Sequence, residues 1–282
     1  MRESFAPGKI ILSGEYAVVF GYPGIAIPST SGIRAIFEEN LALGHIEFNW
    51  NTARQDKRLY NYTEKIIALC AKFRPELSGT IKIDSSLPIA KGMGSSSALV
   101  IAIARAILGE NAHEETLSIE DTLSPQHSGL DFTVIWENNP VYFKKGTEPK
   151  PFTLPTELLR GAAIIDTGRP NETTTELVDW MKTHSDEMRE HLEIIGKCAE
   201  RIIAGDDFLE VMRIHHAAQK SLGVVTESVS ELIAEIEKSG GAAKVIGAGG
   251  RTGGSGMVLA FAQEDDMLQT LTDERHLPVT FL

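Results

Sequence analysis

The chain has 282 residues, which is longer than a typical single domain, and its 42% hydrophobic and 23% charged content predicts a globular protein of two lobes or one large α/β unit. Because 39 acidic residues outnumber 27 basic ones, for a net charge of -12, the composition argues against a nucleic-acid partner. Two isolated cysteines and the lack of an apolar run of membrane-spanning length predict a cytoplasmic protein with no membrane partner.

The N-terminal stretch over 5–36 consists of short apolar runs that are interrupted by glycine and proline. This pattern predicts strands that are joined by tight turns. Lys9 directly follows a Pro-Gly pair in one such turn, and Glu15 follows Gly14 in another. Most lysines in turns are solvated, so a solvated Lys9 is the ordinary alternative to a functional one.

A glycine and serine loop over 92–97, GMGSSS, leads directly into an apolar run over 98–104 that predicts a buried helix. The first N–H groups of a helix lack intrahelical acceptors and carry the positive end of the helix dipole, so this loop predicts a phosphate site. One of its serine hydroxyls is a candidate ligand for Mg²⁺. A serine N-cap on a core helix is the alternative.

Periodicity predicts further elements around this loop. Alternation over 46–50 predicts a half-buried strand, apolar spacing over 60–73 predicts a helix, and 79–83 predicts a brief strand. An acidic connector follows residue 109.

Asp131 lies between a turn signal, Ser128-Gly129, and an apolar run over 132–136 that predicts a strand. A loop carboxylate in such a place can face a cleft. We therefore treat Asp131 as a candidate functional acid.

Three prolines between 149 and 155 predict a linker, so we expect a first lobe over 1–155 and a second over 156–282. The second lobe begins with a predicted strand over 161–167 and is otherwise mostly helical. The predicted helices are 174–188, 191–204, 208–222 and one that starts with a capping box of Ser228 and Glu231.

The segment 244–260 predicts a strand, a glycine-dense turn and a second strand, as in a hairpin. Five glycines lie within the eight residues 247–254, which is more than a plain turn needs. Because glycine permits positive φ and the close approach of a ligand, this density favours a ligand-binding turn.

Three segments in a set order resemble the GHMP kinases. They are PGKIILSGEYAVVFG at 7–21, PIAKGMGSSSAL at 88–99 and IGAGGRTGGSGMVL at 246–259, and HSGLD at 127–131 lies between the second and the third. The resemblance implies a two-lobed α+β fold, with an N-terminal lobe like ribosomal S5 domain 2 and a ferredoxin-like C-terminal lobe. It also implies an ATP-dependent kinase that uses Mg²⁺ and phosphorylates a small-molecule alcohol.

The resemblance further implies roles for individual residues. Asp131 would take the proton of the alcohol, and Lys9 beside it would favour the ionised carboxylate and stabilise charge in the transition state. Ser96 and Glu120 would hold Mg²⁺, with Ser95 as the alternative to Ser96. The implied ATP-binding residues are Lys91, Gly92, Met93, Gly94, Ser95, Ser96 and Ser97. The implied substrate-binding residues are Lys9, Glu15, Tyr16, Asp131, Gly247, Ala248 and Gly249.

The segment SGLD at 128–131, with Glu120 eleven residues before Asp131, and the segment DTG at 166–168 resemble family members that act on mevalonate. This resemblance implies mevalonate as the acceptor, with phosphomevalonate or another small alcohol as alternatives. Arg169 or Lys91 would meet a substrate carboxylate. A regulator that binds a nucleotide or metabolite without catalysis is the alternative from a different class, and the oligomeric state stays open between monomer and homodimer. Departures from the family pattern occur at Tyr16, His127, Phe132 and Arg251-Thr252.

Overall fold

The computed structural model describes residues 1–51, 56–262 and 265–282. The chain divides into two compact units, each of which is discontinuous in sequence. The predicted lobe boundary near residue 155 stays a prediction, since it divides the sequence once whereas the units exchange segments several times. Unit 1 comprises Met1–Lys9, Pro28–Ile89 and Gly94–Asn139, and unit 2 comprises Ile10–Ile27, Ala90–Met93 and Pro140–Leu282.

The described residues form both β-strands and α-helices. Among them, no helix combines the length and the hydrophobicity that a membrane span needs. The strands are β1 (Arg2–Ser13), β2 (Gly24–Glu39), β3 (Ile46–Trp50), β4 (Gly79–Ser85), β5 (Val141–Phe143), β6 (Lys150–Pro151), β7 (Ala162–Asp166), β8 (Ala242–Val245), β9 (Met257–Phe261) and β10 (Val279–Phe281). The α-helices are α1 (Lys57–Phe73), α2 (Ser95–Leu108), α3 (His113–Leu123), α4 (Leu130–Glu137), α5 (Thr174–Thr183), α6 (Ser185–Ala204), α7 (Phe208–Ser221), α8 (Glu227–Lys238) and α9 (Asp265–Glu274).

Unit 1 is built on a sheet in which β4 pairs in parallel with β3 and antiparallel with β2. The antiparallel register sets Ile33 opposite Ser85 and Glu39 opposite Gly79. Helix α2 is buried continuously from Ser97 to Ala104 and lies against α1, α3 and α4. The buried helix that its all-round apolar sequence predicts is therefore confirmed.

Unit 2 contains an antiparallel sheet with the strand order β10-β7-β9-β8. Val245 of β8 pairs with Val258 of β9, so the predicted hairpin is confirmed. Both valines belong to a buried apolar cluster with Leu232 and Ile236 of α8. This packing anchors both ends of the glycine-dense loop that joins β8 to β9.

The strand predicted over 132–136 is wrong, because this run lies within helix α4. Phe132 and Trp136, one helical turn apart, stack with ring centroids 5.8 Å apart. The Arg105 guanidinium lies 4.1 Å from the centre of the Trp136 ring. A short apolar run does not by itself distinguish a strand from a buried helix, and here these tertiary contacts favour the helix. The acidic connector after residue 109 likewise contains helix α3.

The capping box predicted at Ser228 and Glu231 is also wrong, since α8 begins after Thr226 as its N-cap. The Thr226 hydroxyl lies 3.1 Å from Ser255 Oγ and makes no capping hydrogen bond to the helix. A capping box is found instead at the start of α5, between its N-cap threonine and the glutamate three residues later. The Ser-x-x-Glu pattern therefore did not identify the N-cap of α8.

Candidate active site

Lys9 and Asp131 form an ion pair within unit 1, with Lys9 Nζ 3.3 Å from Asp131 Oδ1. Lys9 lies on β1 and its side chain is only 3% exposed, whereas the Asp131 side chain, in the first turn of α4, is 38% exposed. A Cβ on Gly94 would lie 2.9 Å from Lys9 Cγ, so glycine at this position makes room for the lysine stem. The structure thus brings together a buried cation and a carboxylate that solvent can reach.

The N-terminus of α2 also lies in unit 1. Gly94 is its N-cap in the left-handed conformation, with φ 73°, which glycine adopts without strain. Of the three predicted serines, Ser95 is half-buried, Ser96 is exposed and Ser97 is buried. The first turn of α2 therefore offers backbone N–H groups, the helix dipole and an exposed hydroxyl to an anion.

Glu120 lies on α3 and is 2% exposed. Its Oε1 accepts a hydrogen bond of 2.6 Å from Ser97 Oγ, while its buried Oε2 has no hydrogen-bond partner within the described residues. Burial raises the pKa of Glu120, and the Ser97 hydrogen bond and His127 only partly offset this effect. The negative charges of Asp131 and Asp121 raise the pKa further. Within the part of the chain that the structure describes, Glu120 is therefore paired with Ser97 through one carboxylate oxygen, and the other oxygen has no hydrogen-bond partner.

These oxygen donors suit a hard cation such as Mg²⁺, which prefers oxygen ligands. In proteins, water molecules and phosphate groups usually supply several of the oxygens that coordinate Mg²⁺. The buried Oε2 of Glu120, which has no hydrogen-bond partner among the described residues, could supply one such oxygen ligand. Among the described residues, no group of three or more His, Cys, Asp and Glu side chains is placed to hold a metal. A cation at Glu120 would therefore need further oxygens, such as serine hydroxyls and the phosphates of a nucleotide.

Within unit 2, the loop residues before α2 pack against the β8–β9 loop. A Cβ on Gly92 would lie 2.3 Å from the Ile246 carbonyl oxygen, and one on Gly247 would lie 2.8 Å from Gly92 Cα. The Lys91 ammonium pairs with Asp166 at the end of β7, and the Lys91 carbonyl accepts the Met257 N–H at 3.1 Å. Both glycines are therefore required by close backbone packing between these two loops.

Glu15 and its neighbours form a buried cluster in unit 2. Glu15 is 2% exposed, its Oε1 pairs with Lys244 Nζ, and its Oε2 lies 3.0 Å from His215 Nε2. Burial alone would raise the pKa of Glu15, but attraction to Lys244 and His215 outweighs burial and lowers it to about 2. Burial and the Lys244 charge in turn lower the pKa of His215. The carboxylate that we predicted to touch substrate faces the Lys244 ammonium and the His215 ring instead, and its substrate role stays a prediction.

Tyr16 has a positive φ of 62°, which is unusual for a residue other than glycine. Its ring is buried, and its hydroxyl donates to the Ala248 carbonyl of the β8–β9 loop. Burial raises the pKa of this phenol, and the charge of Glu15 adds to the effect. Two segments that were predicted separately as substrate-binding, at 15–16 and 247–249, are thus tied together in unit 2.

Contacts within the protein also explain Gly249 and the Arg251-Thr252 interruption in the β8–β9 loop. A Cβ on Gly249 would lie 2.2 Å from the Val224 carbonyl oxygen. The Arg251-Thr252 interruption is held by Glu172, which accepts hydrogen bonds from both backbone N–H groups. The Arg251 guanidinium lies 4.0 Å from the centre of the Trp180 ring. Glycine density here reflects backbone packing at least as much as any ligand.

Sequence reasoning assigned no role to Lys244 and His215. The signal available for Lys244 was a single lysine within the short apolar strand AAKV, where a charge must find a partner. His215 offered no comparable signal, because it lies in an ordinary amphipathic helix. Ser97 was predicted as one of several nucleotide-binding serines, without its contact to Glu120.

Comparison with known proteins places this fold in a recognised class. A family model described as GHMP kinases N terminal domain matches residues 61–129. The crystal structure of the Methanococcus jannaschii mevalonate kinase has the same fold, with a TM-score of 0.79 at 20% identity over 99% of this chain and 96% of that chain. The class is the GHMP kinase fold, and the predicted α+β fold is confirmed.

Similarity to two mevalonate kinases shows which family within the GHMP kinases this chain belongs to. The mevalonate kinase of Pyrococcus abyssi is 30% identical over 87% of this chain and 85% of its own length. The mevalonate kinase of Thermococcus sibiricus is 27% identical over 97% of this chain and 93% of its own length. The chain belongs to the mevalonate kinase family of the GHMP kinases.

Proposed function

We propose that the protein transfers the γ-phosphoryl group of ATP to the primary hydroxyl of mevalonate. One observation carries this proposal: in a member of the mevalonate kinase family, the buried Lys9 ammonium and the solvent-accessible Asp131 carboxylate lie 3.3 Å apart. Phosphoryl transfer requires little from the protein beyond positioning, charge stabilisation and a group that accepts the hydroxyl proton.

Asp131 is the proposed base. The alcohol oxygen forms a bond to the γ-phosphorus while the bond from that phosphorus to the β,γ-bridging oxygen breaks, and ADP leaves. The hydroxyl proton passes to the Asp131 carboxylate. Its partial exposure supports this role, because the carboxylate has to reach the hydroxyl of a bound substrate.

Lys9 and the start of α2 are the proposed sources of positive charge. Lys9 lies on β1, and its ammonium group is held beside Asp131 of α4. In this position the ammonium group stabilises the charge that develops on the transferred group. The N–H groups and dipole at the N-terminus of α2 favour phosphate oxygens, and the Ser95 and Ser96 hydroxyls lie in the same turn. Lys91, half-buried in its ion pair with Asp166, is the proposed further phosphate ligand.

Glu120 and Ser96 are the proposed protein ligands for Mg²⁺, supported by Glu120 Oε2, which has no hydrogen-bond partner among the described residues, and by the exposed position of Ser96. When bound, the ion neutralises phosphate charge and orients the phosphates for in-line transfer. Glu15, Tyr16, Gly247, Ala248 and Gly249 are the proposed walls of the substrate site, since the Tyr16 hydrogen bond to Ala248 joins their two segments. The two buried, free cysteines suit a reducing cytoplasm.

The substrate is tested by measuring ADP release with mevalonate, phosphomevalonate, homoserine, galactose and shikimate offered separately. We expect release with mevalonate. Release with phosphomevalonate alone would identify the phosphomevalonate kinase alternative. ATP binding without ADP release for any acceptor would favour a non-catalytic regulator.

The base is tested by Asp131→Asn, which keeps the size of the side chain but removes its basicity. We expect kcat to fall by about 10²–10⁴-fold, as for loss of a general base, with ATP affinity within about threefold of wild type. Asp179→Asn, on the exposed face of α5, is the matched control and should leave kcat unchanged. Near-normal turnover by Asp131→Asn would remove Asp131 from the role of base.

A further inference from the structure

Two neighbouring serines at the start of α2 have opposite surroundings. Ser96 is exposed, whereas Ser97 is 3% exposed and directs its hydroxyl to Glu120 across 2.6 Å. Ser97 lies in the first turn of the helix, but the N-cap is Gly94 and the described capping contacts do not involve the Ser97 hydroxyl. Helix capping therefore does not account for this buried hydroxyl.

The contact leaves the two oxygens of Glu120 in different states. Oε1 accepts the Ser97 hydrogen bond, while Oε2 is buried without a hydrogen-bond partner among the described residues. A carboxylate held by one oxygen cannot rotate freely, so the direction of its second oxygen is set by the hydroxyl that holds the first. Partners of this kind orient carboxylate ligands and commonly change metal affinity when they are removed.

We propose that Ser97 is a positioning residue that orients Glu120 toward the divalent cation accompanying the nucleotide. Ser97 acts through Glu120 and does not itself contact the cation. This inference rests on the proposed kinase function. It assigns different tasks to adjacent serines, since Ser96 is the proposed cation ligand and Ser97 holds the carboxylate ligand in place.

The test measures binding of a non-hydrolysable ATP analogue with and without Mn²⁺, a spectroscopic substitute for Mg²⁺. The ratio of the two dissociation constants gives the contribution of the metal. In Ser97→Ala we expect this contribution to fall about 10-fold or more, with metal-free affinity within about twofold of wild type. Electron paramagnetic resonance of bound Mn²⁺ should show an altered signal. Ser118→Ala, exposed on the same helix as Glu120, is the matched control and should change neither quantity.

A double-mutant cycle separates positioning from packing. Glu120→Gln should lose most of the metal contribution, and adding Ser97→Ala to it should cause no further loss if Ser97 acts through Glu120. Ser97→Thr, which keeps the hydroxyl, should recover much of the metal contribution. A full metal contribution in folded Ser97→Ala, or equal losses in both backgrounds, would overturn the proposal. Because binding needs no acceptor, absent turnover by wild type would contradict the proposed function and not this inference.

Discussion

Glu15 and Glu120 are the same residue type at the same 2% exposure, yet their surroundings are opposite. Glu15, in unit 2, faces the Lys244 ammonium and the His215 ring. Glu120, in unit 1, receives one hydrogen bond from a neutral hydroxyl, and the favourable effect of His127 is opposed by the negative charges of Asp131 and Asp121. The described residues neutralise the first carboxylate and compensate the charge of the second only in part.

The difference separates a structural charge from a functional one. Burial raises the pKa of both carboxyl groups, but the interactions of Glu15 with Lys244 and His215 outweigh burial and lower its pKa to about 2, whereas the pKa of Glu120 remains raised. Uncompensated buried charges lower stability, so their presence points to a function that requires them. The charge of Glu15 is balanced by Lys244 and His215 within the protein, and the contrast supports the proposed role of Glu120 in binding a cation.

The largest expected effect on the free energy of unfolding is that of Glu15→Gln. The substitution leaves the fully buried Lys244 ammonium without its carboxylate, and breaking a buried pair from one side costs about 3–5 kcal/mol. Urea unfolding at neutral pH measures this loss. Glu231→Gln, on the exposed face of α8, is the control and should change stability by less than about 0.5 kcal/mol.

Restoring neutrality should reverse part of that loss. The double variant Glu15→Gln, Lys244→Met removes both charges, so we expect it to be more stable than Glu15→Gln alone. A loss below about 1 kcal/mol in Glu15→Gln would contradict the assignment of this cluster as a structural ion pair.

The pH dependence of unfolding should differ between the two glutamates. Because the pKa of Glu15 falls from 4.5 to about 2 on folding, the stability from its ionised form is present above pH 4.5 and is lost as the pH falls toward 2. The advantage of wild type over Glu15→Gln, about 3 kcal/mol from this shift, should therefore shrink below pH 4.5. The pKa of Glu120 is raised, so the cost of its charge applies in full above the folded pKa, falls as the pH drops through that pKa and is absent below pH 4.5.

Unfolding of wild type and both glutamine variants between pH 7 and pH 3 distinguishes these cases. The difference between wild type and Glu15→Gln should be constant down to about pH 4.5 and then decline. The charge-dependent part of the difference between wild type and Glu120→Gln should instead change above that pH and level off below it. Parallel pH profiles for the two variants would mean that the two carboxylates do not differ as described.

The smallest expected effect on stability is that of Glu120→Gln. Glutamine retains an oxygen that can accept the Ser97 hydrogen bond and removes a buried charge that the described residues compensate only in part. We expect stability at neutral pH to be unchanged or raised by up to about 1 kcal/mol, although cation binding is lost. Thermal unfolding without nucleotide and metal measures this effect. A loss above about 2 kcal/mol would show that Glu120 supports the fold.

Sequence patterns predicted secondary structure correctly where it depends on residues that are close together in the chain. The apolar run after the GMGSSS loop predicted the buried helix α2, and the strand-turn-strand pattern at 244–260 predicted the β8–β9 hairpin. Similarity over three motifs predicted the family and the fold, and it selected Lys9 and Asp131, which the structure brings within 3.3 Å. The run at 132–136 was assigned wrongly, because a few apolar residues fit a strand and a helix equally well.

The sequence by itself determined which segments carry charge, glycine and hydroxyl groups, and in what order. Only the tertiary structure decided that Glu15 meets the Lys244 ammonium across 229 residues of chain while Glu120 meets the neutral hydroxyl of Ser97. Propensity and periodicity depend on neighbours within a few turns of the chain, so they can predict a helix or a turn. Whether a carboxylate is neutralised depends on side chains that folding brings from distant segments, and no local pattern encodes that distance.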